Sequence, residues 1–191
     1  MRRWIVLTGG PGSGKTAVSA ALVAHDPQRY ALVPEAATQV YAALQTRWDR
    51  LDVEGRRDVQ RRIYRLQLEQ EARVDRENPE KSLLLDRGTV DGSAYWPDGP
   101  EDYWRDLGTT AQRELARYDA VVWLESGAAI GRYDGDSSNF CRFEDAEQAL
   151  RNGELLRLLW AGHPRLLQVA ATRDLDDKVR RVREILGSAV P

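Results

Sequence analysis

Apolar residues fall into two kinds of stretch along the chain. Short continuous runs, WIVLT (Trp4 to Thr8), YALVP (Tyr30 to Pro34), SLLLD (Ser82 to Asp86), AVVWL (Ala120 to Leu124) and RLLQVA (Arg165 to Ala170), read as five buried strands. Longer amphipathic stretches between them predict helices at about Lys15 to Ala24, Ala36 to Trp48, Gly55 to Glu77, Glu101 to Arg117, Glu144 to Trp160 and Leu175 to Leu186. Strands without polar alternation imply a sheet covered on both faces, and their alternation with helices implies mostly parallel pairing. The expectation is one three-layer α/β domain over residues 1–191, with its ligand loops at the C-terminal strand ends. The small and polar segment Glu125 to Asn139, ESGAAIGRYDGDSSN, predicts a lid at about 126–146, between the fourth strand and the next helix.

Composition narrows the setting. A chain of 191 residues with 42% hydrophobic content can build one real core and has little room for a second. Its charges nearly cancel, to −2, so no overall basic field recruits nucleic acid or an acidic membrane. Nothing approaches the roughly 20 apolar residues of a membrane span, and the run in MRRWIVLTGG is too short for a signal-peptide core. The single cysteine, Cys141, excludes an internal disulfide and a multi-cysteine metal site, and points to a reducing, cytoplasmic compartment. Lys15, Lys81 and Lys178 are the only lysines in a chain that otherwise uses arginine, which makes Lys15 conspicuous.

Residues 9–16 read GGPGSGKT: Gly9, Gly10, Pro11, Gly12, Ser13, Gly14, Lys15 and Thr16. This is the phosphate-loop pattern, and it stands between a strand and a helix as its mechanism requires. Glycines let backbone N–H groups wrap phosphate oxygens, and the helix N-terminus adds a positive dipole end. Lys15 would reach the β- and γ-phosphates of ATP, and Thr16 would offer its hydroxyl to Mg²⁺.

Other motifs separate the reactions such a loop can serve. There is no N-K-x-D for reading guanine, no L-S-G-G-Q transporter signature and no helical second domain of a motor. Phosphoryl transfer to a small-molecule acceptor remains the first expectation. A regulatory ATPase or nucleotide-dependent binding module is the second, and a nucleic-acid-end kinase the third; no protein partner is expected. Glu35 ends the second strand and opens a helix, where a carboxylate can take the proton of an attacking hydroxyl or simply complement the helix dipole. Asp86, ending an apolar strand, has the form of a Mg²⁺-holding aspartate, and Arg87 beside it can present a planar fork to phosphate or an acceptor oxygen; a strand-end ion pair is the structural alternative. Either Glu35 or Asp86 can serve as base.

In the lid, Arg132 and Arg142 are candidates to neutralise the transferring phosphate. The nearby Asp134, Asp136, Glu144 and Asp145 do not fit the spacing of a calcium loop. The helix Gly55 to Glu77 carries seven arginines, mostly on its solvent face; any pointing inward would favour an acceptor that already bears phosphate. Among the nearby aromatics Trp48, Tyr95, Trp96 and Trp104, Tyr95 is the one named as a substrate contact.

The combination of GGPGSGKT, VPEAA after the second strand, LLLDRG after the third and WAGHP (160–164) before the last resembles the small AAA-like ATPase and kinase family that includes nicotinamide-riboside kinase modules. It is similar to the deoxynucleoside and thymidylate kinases. The resemblance implies that Glu35 acts as base or contacts the acceptor hydroxyl. It also implies that Asp86 and Arg87 correspond to the E-R-S of deoxynucleoside kinases or the D-R of thymidylate kinases. Here the triplet is D-R-G, a departure from the first of these. N-F-C-R-F-E (139–144) resembles an N-x-x-R-x-E element of the same family, which favours Arg142 over Arg132.

Overall fold

A computed structural model describes residues 2–133 and 145–188. The elements run β1 Trp4–Thr8, α1 Lys15–His25, β2 Tyr30–Val33, α2 Ala36–Leu44, α3 Val53–Glu77, β3 Ser82–Asp86, α4 Pro100–Leu107, α5 Ala111–Leu115, β4 Ala120–Leu124, α6 Ala146–Leu159, β5 Leu166–Val169 and α7 Leu175–Ser188. The five strands pair in the order β2-β3-β1-β4-β5, and every pairing is parallel. β1 is therefore central, and the ends of β3 and β4 flank the loop that leaves it.

The strands are apolar throughout because both faces are covered. Ile5 and Leu7 of β1, Leu84 of β3 and Val122 of β4 join Val18 and Leu22 of α1 and Val182 and Leu186 of α7 in one core. Val6, Leu83, Leu85 and Val121 point the other way, into a core with Val74, Tyr103, Trp104 and Trp160 from α3, α4 and the end of α6. The period of two along each strand divides the side chains between the faces.

Three of the differences from the predicted bounds have a local reason. The single helix expected over Glu101 to Arg117 is two, because Gly108 closes α4 in a left-handed conformation (φ +66) and the Thr110 side chain caps α5. The helix expected to reach Trp48 stops at Leu44, where Gln45 turns left-handed (φ +51). α3 starts at Val53 because Asp52 accepts the Gly55 N–H at 2.8 Å as its N-cap.

Candidate active site

The loop from β1 to α1 is held by its carbonyls. Ser126 Oγ donates to Pro11 O at 2.6 Å, Gly127 N to Gly12 O at 3.1 Å, and Lys178 Nζ to Ser13 O at 2.8 Å. Carbonyl and N–H of a trans peptide point oppositely, so anchoring the carbonyls to surrounding protein turns the following N–H groups toward the loop interior. Gly9 (φ +147) has no room for a side chain: a Cβ there would lie 2.3 Å from Leu124 O. Gly14 (φ +80) sits at the N-cap of α1 and, among the described residues, nothing lies within 4 Å of its Cβ position. Among the described residues Ser13 Oγ is buried without a partner.

Parallel pairing of β1 with β3 sets Asp86 level with Leu7, two residues before the glycines begin. Asp86 Oδ2 accepts the Thr16 hydroxyl at 2.6 Å, while its Oδ1 is buried with no partner among the described residues. Burial raises the proton affinity of Asp86; Lys15 opposes that and Glu35 adds to it. Among the described residues no three His, Cys, Asp or Glu side chains gather as a metal cage. The donor set instead fits Mg²⁺, which keeps several waters and takes one carboxylate and one hydroxyl beside substrate phosphates. The glycine cradle, the unpartnered Asp86 oxygen and the lysine fit a nucleoside triphosphate with its magnesium.

Arg87 follows with φ +76, a left-handed conformation that costs a non-glycine residue on the order of 1 kcal/mol or more. Its backbone is braced on both sides: its N–H donates to Leu7 O at 3.0 Å, and its carbonyl accepts from Gln67 Nε2 at 3.3 Å. The turn sends the guanidinium back across the sheet end. There Nε donates to Glu35 Oε1 at 2.5 Å and Nη1 to Asp91 Oδ2 at 3.0 Å. Glu35 Oε2 also accepts from Thr38 Oγ1 at 2.6 Å. Burial alone would push the Glu35 carboxyl up, but Arg87, Lys15 and the Thr38 hydrogen bond outweigh it and hold it at about 2. Glu35 is thus a carboxylate at any physiological pH.

Asp91, buried, gathers three elements. It accepts from Thr8 Oγ1 at the end of β1 (2.9 and 3.0 Å to its two oxygens), from Trp160 Nε1 (2.6 Å) and from Arg87. The WAGHP segment is therefore structural in its contacts. Trp160 packs at Gly88, where a Cβ would come within 3.0 Å of the indole, and His163 accepts the Arg165 N–H on Nδ1 while Nε2 meets Tyr118 O.

A pocket opens from Lys15, Glu35 and Arg87 toward α2 and α3. Its farther wall is neutral, with Tyr41, Trp48, Gln60, Ile63, Tyr64 and Tyr95 among its lining. Gln60 is 3% exposed. No arginine of α3 lines this pocket. Arg57 and Arg61 pair instead with Asp98 and Asp106 on the outer side, and Arg56 stacks over Trp48 at 3.6 Å.

The structure brings the glycine loop, Lys15, Thr16, Glu35, Asp86, Arg87 and Tyr95 to one end of the sheet. Arg132 lies at the same end, its N–H returning at 2.9 Å to the carbonyl of Gly127, whose own N–H donates to Gly12 O. Its side chain does not line the pocket and donates instead to Arg173 O at 2.5 Å. Arg142 lies outside the described residues, as does most of the segment expected to form the lid. Trp96 and Trp104 are buried in the core. Sequence reading missed Asp91 and Lys178, whose partners are distant in the chain; an aspartate four residues after Arg87 was the only local signal of the first.

The fold and the glycine loop define a P-loop domain with the architecture of nucleoside and nucleotide kinases. Residues 4–178 match the AAA domain family, nearly the full length, and the chain belongs to it. No curated protein matches the chain. Among solved structures it is similar to deoxyadenosine kinase from M. mycoides with dCMP and dCDP bound, at TM-score 0.66 and 16% identity over 96% of this chain and 98% of that one. It is also similar to thymidylate kinase from Candida albicans, at TM-score 0.67 and 15% identity over 98% of this chain and 92% of that one. At such identities the likeness is one of fold. Among the described residues no helix is long and apolar enough to cross a membrane.

Proposed function

We propose that the protein transfers the γ-phosphoryl group of ATP to a hydroxyl of a small acceptor that carries no phosphate of its own. The observation that carries this reading is the Glu35–Arg87 pair, which stands between Lys15 of the phosphate loop and a pocket whose far wall is uncharged. A phosphate-bearing acceptor would call for cations deep in that pocket. None of the α3 arginines lines it, Arg57 and Arg61 pair with acids elsewhere, and Arg87 is already held by two carboxylates.

Mg²⁺, held by Thr16 and Asp86, would neutralise charge on the phosphates. Lys15 binds the β- and γ-phosphate oxygens, and the loop N–H groups orient them. Glu35 accepts a hydrogen bond from the acceptor hydroxyl and takes its proton as the new oxygen–phosphorus bond forms and the bond to the β-phosphate oxygen breaks, releasing ADP. Asp86 is less suited to that step because it would be taken up by the metal, its Oδ2 beside the Thr16 hydroxyl and its other oxygen the candidate Mg²⁺ ligand. A carboxylate as weakly basic as Glu35 suffices where the transition state is loose and the proton leaves late. Aromatic rings and the Gln60 amide in the pocket lining favour an acceptor with a flat ring and a hydrogen-bonding edge. The single cysteine supports a cytoplasmic setting.

The test is a metabolite-library screen that follows ADP release, repeated with Glu35→Gln. Turnover with an unphosphorylated hydroxyl compound, lost in the variant, is expected. Turnover only with phosphorylated acceptors would overturn the reading.

A further inference from the structure

Lys178 stands out on three independent grounds. It is one of three lysines in an arginine-biased chain, it is 5% exposed, and it lies in the first turn of α7, where the helix dipole disfavours a cation. Its ammonium donates to two main-chain carbonyls, Ser13 O at 2.8 Å and Glu125 O at 3.1 Å. Among the described residues no carboxylate lies within ion-pair distance of it. The Glu125 side chain turns instead to the Ala171 N–H at 2.8 Å. A buried ammonium without a contacting carboxylate is costly, and its burial lowers the proton affinity of this lysine.

We propose that Lys178 is a second lysine of the nucleotide site, a positioning residue that acts on bound phosphate from behind the loop. The inference rests on the reading that the glycine loop binds a nucleotide. Two effects combine. Holding the Ser13 carbonyl toward α7 turns the Gly14 N–H away from α7, so that this donor is already aimed before an anion arrives. The ammonium also places a positive charge in a low-dielectric setting beside the loop, offset only by the non-contacting Glu125, and a polyanion in the cradle further offsets the cost of burying it. The chemistry explains why this position is a lysine: a compact ammonium can bridge two carbonyls of different strands of backbone, whereas a planar guanidinium fork requires a wider gap.

The experiment is a calorimetric titration of ADP and of ATP into the wild-type chain and into Lys178→Met and Lys178→Gln, with thermal unfolding of each in the absence of nucleotide. Lys178→Met is expected to weaken ADP binding by about ten- to a hundredfold, as for loss of hydrogen bonds from a charged donor. Lys178→Gln keeps donors without the charge and should fall between. A folded Lys178→Met variant that binds ADP as the wild type does would overturn the inference. Absence of binding by the wild type would instead overturn the nucleotide-site reading. Where neither variant folds, the wild-type chain with ¹⁵N-labelled lysines decides: with Lys15 and Lys81 assigned by Lys15→Ala and Lys81→Arg, the Lys178 ammonium signal must shift on adding ADP. An unmoved signal in a nucleotide-bound protein rejects the role.

Discussion

Arg87 Nε lies 2.5 Å from Glu35 Oε1, and this ion pair joins the left-handed residue after β3 to the N-cap residue of α2. It keeps the Glu35 carboxyl at about 2 in the folded chain against an ordinary 4.5. Because the folded value is the lower one, the stabilisation is complete above pH 4.5 and fades as pH falls toward 2. A lowering of that size is worth about 3 kcal/mol at most. Glu35→Gln should therefore be less stable than wild type at pH 7, and urea midpoints of the two proteins should converge on acidification. A gap that stayed constant down to pH 2 would show that the pair contributes nothing through its charge.

Lys15→Ala removes the cation that faces the triphosphate. Phosphoryl transfer is expected to drop by about a hundredfold or more. Single-turnover assays with γ-labelled ATP measure it directly, and retention of full transfer would remove the central role given to the loop.

Gly10 and Gly153 face each other, the first in the phosphate loop and the second inside α6, yet they should respond oppositely to alanine. A Cβ on Gly10 would stand 2.5 Å from Ala149 O and 2.9 Å from Gly153 N, whereas a Cβ on Gly153 meets Gly10 N at 3.5 Å, an ordinary contact. Gly10→Ala is expected to cost about 1–3 kcal/mol and to weaken nucleotide binding. Gly153→Ala should be neutral or stabilising by up to about 1 kcal/mol, through helix propensity. Thermal melts of the two variants side by side test the asymmetry.

Trp160→Phe keeps an aromatic ring but removes the N–H that Asp91 accepts at 2.6 Å, together with the outer indole edge that packs at Gly88. The loss should cost about 1.5–3 kcal/mol, as for a hydrogen bond to a charged group. It should also loosen Arg87, which Asp91 holds from the other side. Denaturant unfolding measures the first effect and kcat at saturating ATP the second.

Much of the fold was readable because its strands are unbroken apolar runs. β1, β3 and β4 have the predicted bounds, each buried on both faces by its neighbours. The glycine loop was readable because its backbone demands are local. What escaped depended on partners far away in the chain: Asp91 meets Thr8 across 83 residues, and Lys178 meets Ser13 across 165. The paired state of the α3 arginines was likewise hidden, since Arg57 and Arg61 find their acids 41 and 45 residues on, in and just before α4. The split at Gly108 was visible in principle, as a glycine followed by a capping threonine, but the amphipathic pattern on either side masked it.

Burial of two of the three lysines also determines how the protein can be handled. Lys15 and Lys178 are 6% and 5% exposed, while Lys81 is only half-buried, at the start of β3 and at the opposite end of the sheet from the glycine loop. Among lysine side chains, an amine-reactive dye or surface linker would therefore attach at Lys81. A sensor chip or fluorophore tethered there leaves the pocket facing solvent, so acceptor candidates can be screened on the immobilised chain.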